Sequence, residues 1–204
     1  MRGYSLGVQT VSRTDEVQVA RMSLEDWIAL EEDAPGEFID GWLVEEEMAS
    51  SLHEVIVVWL SMRLGGWVFP RGGLATSSNA RLVLAPALGR KPDLMVFFQE
   101  HRPDLGDAAV RIPPDIAVEV VSSSARDQRR DRIAKYSEYA VFGVRYYWLL
   151  DPVLRTLEIF ELAADGRYRR VLAESEGELD VPGCEGLKLN LSELWNIVDR
   201  QIAT

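Results

Sequence analysis

The chain carries one cysteine, Cys184, in 204 residues. A lone thiol excludes an internal disulfide and any cysteine-rich zinc site. It follows a Pro182-Gly183 turn, where a small, partly buried side chain is expected. Such sparing use of cysteine suits a reducing cytoplasm, the expected compartment. No apolar run reaches the ~18 residues of a membrane span, so no membrane partner is expected. The opening residues, MRGYSLGVQTVSRTDEV, lack the apolar stretch of a signal peptide. Positive charge is also short: 22 Lys+Arg stand against 33 Asp+Glu, a formal net charge of −11. That excludes a protein that coats nucleic acid or anionic membrane by bulk charge, while leaving room for a local basic site. Gly-x-Gly-x-x-Gly and Gly-x-x-x-x-Gly-Lys are both missing, so nucleotide binding has no motif behind it. No serine stands in a recognisable hydrolytic-triad context.

What is present is core material. Hydrophobic residues make up 47%, with six each of Trp, Tyr and Phe, which argues against disorder. A chain of this length fits one domain and can bury roughly 70% of its unfolded surface. Residues 1–21 lack a strong period and are expected to form an N-terminal arm, with 22–204 as a single domain. Ser23 should cap a short helix stopped by Ala34-Pro35-Gly36. Residues 37–48 predict a hairpin turning at Asp40-Gly41. Ser50-Ser51 should cap a mostly buried helix over 52–64, ended by Gly65-Gly66.

Short apolar runs at 80–84, 94–98 and 116–121 predict strands covered by helices, with 99–115 a surface loop. Ser122-Ser123-Ser124 should cap a helix over 125–141, broken at Gly143. A strand over 146–150 follows, then a hairpin of 157–162 and 168–172 across Asp165-Gly166, then a helix capped by Ser192. This order predicts a mixed α/β domain with a central sheet.

Three features carry chemistry. Asp93, in Lys91-Pro92-Asp93, precedes an apolar strand, where acids are also ordinary turn residues. Glu119 lies inside the run Ile116-Ala117-Val118-Glu119-Val120-Val121, and alternation sends it to the same face as Ala117 and Val121. A carboxylate on a covered face must be paired, protonated or metal-bound. Downstream, Asp131, Lys135 and Tyr139 are spaced i, i+4, i+8 on one helical face that can look back on Glu119. Two carboxylates on neighbouring strands suit Mg²⁺ or Mn²⁺, and a lysine beside them suits phosphodiester hydrolysis.

On these residues the chain resembles the PD-(D/E)-x-K nuclease superfamily, and more closely the Uma family of restriction-endonuclease-like proteins. The supporting blocks are Glu37-Phe38-Ile39-Asp40-Gly41-Trp42-Leu43, Ser51-Leu52-His53, Arg90-Lys91-Pro92-Asp93, and Pro114 through Ser122. The Asp131/Lys135/Tyr139 helix and Gly143 through Pro152 complete the set, over about residues 22–165. The resemblance implies a restriction-endonuclease-like α/β core, a central mixed β-sheet flanked by helices, with N-terminal and C-terminal hairpins. It implies Asp93, Glu119 and the backbone carbonyl of Val120 as metal ligands, for Mg²⁺ or Mn²⁺. Lys135 would serve as the catalytic lysine and Glu37 as a further catalytic carboxylate. His53 matches a family histidine, either backing the site or contacting substrate. In one departure, the position two after Glu119 is Val121 where the superfamily pattern has lysine; Lys135 would substitute from the helix. His101 reads as an ordinary solvated side chain.

The function expected is metal-dependent endonuclease cleavage of DNA, by a homodimer paired through its aromatic hairpins. The alternative is a nuclease-fold protein without activity, acting as a regulatory or interaction module. A hydrolase of RNA or of small molecules would share the same site chemistry. Divided by region, residues 119–148 hold six basic and four acidic residues, +2, leaving −13 elsewhere. A field so negative implies weak DNA binding with steep salt dependence.

Overall fold

The computed structural model describes residues 18–31, 34–45, 50–104, 106–122, 124 and 128–202. Most of the expected arm, residues 1–17, and the expected helix start at 125–127 with Ser123 lie outside the described residues. The last four residues of the expected arm form β1 (Gln18–Arg21), which pairs antiparallel with β3 (Trp42–Val44). Between them Ser23 closes a reciprocal cap with Asp26 on α1 (Leu24–Ile28). This helix ends well before Pro35. The reason is Arg81, which donates to the carbonyls of Ile28, Leu30 and Glu31 at 3.4, 3.0 and 2.6 Å and satisfies the chain end there. Its guanidinium also lies 5.7 Å from the ring centre of buried Trp27. Arg81→Ala is expected to lower the unfolding free energy by about 2 kcal/mol, read as a lower urea midpoint at unchanged slope, because three carbonyls lose a charged donor.

β2 (Glu37–Ile39) and β3 form the expected hairpin, with Asp40 and Gly41 both at positive φ, 51° and 84°. The first sheet runs β1-β3-β2-β6-β5, with β5 (Leu82–Ala85) and β6 (Leu88–Arg90). A Cβ on Gly89 of β6 would stand 2.4 Å from the Trp27 ring, so only glycine lets these layers touch.

Helix α2 (Ser51–Val68) begins at Ser50, whose hydroxyl accepts from the His53 amide at 3.2 Å. It runs straight through Gly65-Gly66, where the sequence pattern predicts an end. Each glycine costs about 1 kcal/mol against alanine, but continuing the helix buries Trp67 and Val68 in the core, which outweighs that loss. The segment Ser51–Arg71 has the length and apolarity of a membrane span. Here its inner face, including Ile56, Leu60 and Leu64, packs into the main core.

The central sheet has six strands in the order β11-β10-β9-β8-β7-β4. They are β4 (Leu74–Ser77), β7 (Leu94–Phe97), β8 (Ile116–Val120), β9 (Tyr146–Asp151), β10 (Thr156–Leu162) and β11 (Tyr168–Glu174). β8 and β9 run parallel and the other neighbours antiparallel, giving a mixed sheet as predicted. One face packs on α2 and the C-terminal helix α4 (Leu191–Ile202); the other carries Tyr147 and Leu149 beneath Tyr139 of α3 (Tyr136–Phe142). A small ribbon of β12 (Glu178–Asp180) and β13 (Lys188–Asn190) leads into α4. The cap of α4 is Asn190, whose side chain accepts from the Glu193 amide at 2.9 Å, while Ser192 turns to the Gly177 amide. Cys184 is buried, as expected, and burial pushes its thiol up to about 12.

Candidate active site

Strand alternation sends Glu119 to the face of Ala117 and Val121, and there it is 3% exposed. What makes that burial tolerable comes from the segment after β8. Residues Arg130–Lys135 wind as a π-helix into α3, an unusual turn that recurs at functional sites. Together they turn Lys135 and Tyr139 onto Glu119. The Lys135 Nζ donates to Glu119 Oε2 at 2.9 Å and the Tyr139 hydroxyl to Oε1 at 2.7 Å. Tyr139 is fully buried; burial first, and the Glu119 charge second, push its phenol well above its usual range, so it stays a donor.

Lys135 is shared. Its Nζ also lies 3.4 Å from Glu37 Oε1 and 3.4 Å from Asp131 Oδ1, so one ammonium serves three buried carboxylates. Burial raises the Glu119 carboxyl well above its usual range and Asp93, Asp131 and Glu37 add to the push, with Lys135 opposing. Asp131 moves the same way for the same leading reason, with Asp93 and Glu37 contributing. Glu37 goes the other way. Burial works to raise it, but Lys135, then Arg90 and Arg130, outweigh burial and hold it far below the carboxylate range.

Arg90 is the group that sequence reasoning left without a role. Its side chain is 2% exposed, bonded to Glu37 Oε2 at 2.6 Å and clasping both oxygens of Glu138 at 2.8 and 2.7 Å. It ties the hairpin acid of the first sheet to α3 of the second. The Lys91 amide adds a bond to Glu37 Oε1 at 3.1 Å. Arg90, Arg130, Lys135 and the Lys91 amide thus all present donors or positive charge to Glu37.

Asp93 sits just before β7, beside the end of β8. Its Oδ2 accepts from the Val120 amide at 2.7 Å, so Val120 joins the site through its N–H. Its Oδ1 is 3.2 Å from His53 Nε2, at the first turn of α2. Burial works against a charged imidazole, but the Asp93 hydrogen bond and charge, then Glu54, outweigh it and raise His53. The structure thus places Glu37, His53, Asp93, Glu119, Val120 and Lys135 in one linked cluster, with Arg90, Asp131 and Tyr139 added. His101 is separate: it is 61% exposed, solvated as expected, and its Nδ1 also lies 2.8 Å from buried Asp115, which accepts from the Phe98 amide.

The mixed sheet has helices on both faces, and the Asp93, Glu119 and Lys135 side chains gather beside strands β7 and β8. A family model described as "Uma2: Putative restriction endonuclease" matches residues 23–192, and the chain belongs to that family. Among solved structures, the chain is similar to a "putative nuclease belonging to DUF820 from Anabaena variabilis ATCC 29413". That likeness has a TM-score of 0.69 at 22% identity, covering 87% of this chain and 99% of that one, and it establishes the fold. No curated protein matches the chain. One Gly-x-Ser-x-Gly string does occur, Gly3-Tyr4-Ser5-Leu6-Gly7, outside the described residues and ahead of the matched region.

Proposed function

We propose that this protein hydrolyses DNA phosphodiester bonds with a bound Mg²⁺ or Mn²⁺, held by Asp93 and Glu119. The observation that carries the reading is Glu119 itself, a buried carboxylate fixed by a lysine and a tyrosine and crowded by the charge of Asp93 and Asp131. Crowded carboxylates on adjacent strand ends hold an excess of negative charge that a cation relieves. Each carboxylate oxygen offers more than one acceptor position, so the bonds to Lys135, Tyr139, Val120 and His53 leave room for one more partner. Among the described residues no group of three or more His, Cys, Asp or Glu side chains is arranged to hold a metal. Two carboxylates nevertheless suit Mg²⁺, which keeps several waters and commonly uses one or two protein acids plus substrate phosphate. The residues fit the ion on those terms. A bound ion of this kind activates water and offsets charge on the phosphate.

The chain's own groups divide the remaining work. Tyr139 fixes the Glu119 carboxylate, and the Val120 amide and His53 fix Asp93. Lys135 brings a positive charge to the reacting phosphate; its two 3.4 Å contacts are the ones to yield when water or substrate enters. Glu37 and Arg90 keep Lys135 and α3 in register.

A second reading, a nuclease fold kept as a regulatory or interaction module, is favoured by the closure of the cluster, with Glu119 3% exposed and both oxygens bonded. Calorimetric titration separates the two. Wild type should bind Mg²⁺ or Mn²⁺ in the millimolar range or tighter, with Asp93→Asn and Glu119→Gln weakened about 10-fold or more, since losing even a group that only orients a metal ligand costs about 10–100-fold. A wild type that binds neither ion, and leaves DNA intact in their presence, sinks the hydrolytic reading.

A further inference from the structure

We infer that Arg132 is a positioning residue of the candidate active site, holding the π-helical turn that delivers Lys135 and Asp131 to Glu119. Its effect on cleavage rests on the hydrolytic reading above; its effect on where Lys135 stands does not. A π-turn is rare in itself, so contacts from neighbouring elements have to favour it over an ordinary α-helical turn. Residues Arg130–Lys135 keep one and continue from it into α3 at Tyr136.

Two contacts from the central sheet hold this turn. From β9 the fully buried Tyr147 donates its hydroxyl to the Asp131 carbonyl at 2.9 Å. Beside it Arg132 donates to Asp151 Oδ2 of β9 at 2.6 Å and to Glu158 Oε2 of β10 at 2.9 Å. Both anchors are themselves fixed. Asp151 Oδ1 accepts from the amides of Val153 and Leu154 at 2.9 and 2.8 Å, and Glu158 Oε1 accepts from Arg170 at 2.9 Å. The two carboxylate side chains are 6% and 16% exposed, so the guanidinium meets them largely shielded from water.

Arg132 follows Asp131 directly and precedes Lys135 by three residues, so it sets the rotation of the turn that carries both. Asp131 and Lys135 are buried together on the inner side, while Arg132 reaches across to β9 and β10. A relaxed α-helical register would rotate Lys135 relative to Glu119 and draw the guanidinium off one of its two acids. A planar fork spans both carboxylates at once, where an ammonium is a single point of charge. Arg132 therefore acts through Lys135.

With DNA and Mg²⁺ saturating, Arg132→Met should lower kcat about 10–100-fold, while KM for DNA and the Kd for Mg²⁺ stay within about 3-fold. Arg132→Lys, which can keep one anchor, should recover part of that loss. The place of Lys135 is read without cleavage, in the metal-free chain, from the ¹H–¹⁵N signal of its buried ammonium, assigned by its loss in Lys135→Ala. That signal should shift or vanish in Arg132→Met. It should persist in Arg169→Met, which removes an arginine whose side chain is 71% exposed. If circular dichroism shows Arg132→Met unfolded, Glu158→Gln removes one of the two anchors instead, and the same signal should move. A wild type that leaves DNA intact sinks the hydrolytic reading, and the Lys135 signal then decides the role of Arg132. A signal unmoved in the folded variant overturns the inference, and so does an Arg132→Met enzyme with wild-type kcat. A wild type with no slowly exchanging ammonium signal overturns it too, because Lys135 is then not held at Glu119.

Discussion

Lys135→Ala should lower the unfolding free energy by about 3–5 kcal/mol in the absence of divalent cations, measured by urea denaturation at neutral pH with chelator. The size follows from what the ammonium neutralises. Its Nζ is within 2.9 Å of Glu119 and 3.4 Å of both Glu37 and Asp131, and its side chain is 2% exposed. Removing it leaves three buried acids facing one another. The loss exceeds that of a surface ion pair, whose partners would simply be rehydrated. Glu119→Gln placed on top of Lys135→Ala should recover about 1–2 kcal/mol, because one of the stranded charges is then gone. Mg²⁺ should stabilise Lys135→Ala more than it stabilises wild type, if the ion enters where the ammonium stood. A loss below about 1 kcal/mol for the single variant would mean that the amine is not buried among carboxylates as described.

How much of this cluster was legible beforehand depends on the range of the interaction. Strand alternation placed Glu119 on a covered face, and it is 3% exposed. The i, i+4, i+8 spacing of Asp131, Lys135 and Tyr139 put their side chains together, even though a π-helical turn carries the first two. Local turn chemistry was readable too: the Asp40-Gly41 hairpin, the Ser23 cap and the Gly143 stop all depend on neighbours in the chain. Arg90 was not readable. Its partners lie 53 residues upstream and 48 downstream, and nothing in a short window distinguishes it from a solvated arginine. The early end of α1 has the same origin, since Arg81 reaches it from 50 residues away. Short strands such as β6, β12 and β13 lack the length for a period to register. The run through Gly65-Gly66 was missed because local propensity favours a stop there and only tertiary burial of Trp67 and Val68 reverses it.

Glu119→Gln is the sharpest separation of function from stability in this protein. DNA cleavage should fall about 10³-fold or more, as expected when a centre of preorganised charge is removed. The unfolding free energy should stay within about 1 kcal/mol of wild type or rise slightly. The second half is the less intuitive, and it follows from the direction in which the site moves this acid. Burial first, then Asp93, Asp131 and Glu37, raise the Glu119 carboxyl well above its usual range, so the folded state disfavours its charge despite Lys135. An acid raised on folding subtracts from stability once the pH exceeds its unfolded value. A neutral isostere removes that penalty. It also keeps the bonds: the glutamine oxygen can accept from Lys135, and its NH₂ can donate to a Tyr139 hydroxyl that rotates to accept. Should Glu119→Gln unfold more readily by several kcal/mol, Glu119 would be a structural anchor of Lys135, favouring the non-catalytic reading. Should it keep its stability and lose both Mg²⁺ binding and cleavage, the fold is carrying the Glu119 carboxyl at its own expense, as expected of a group kept for function.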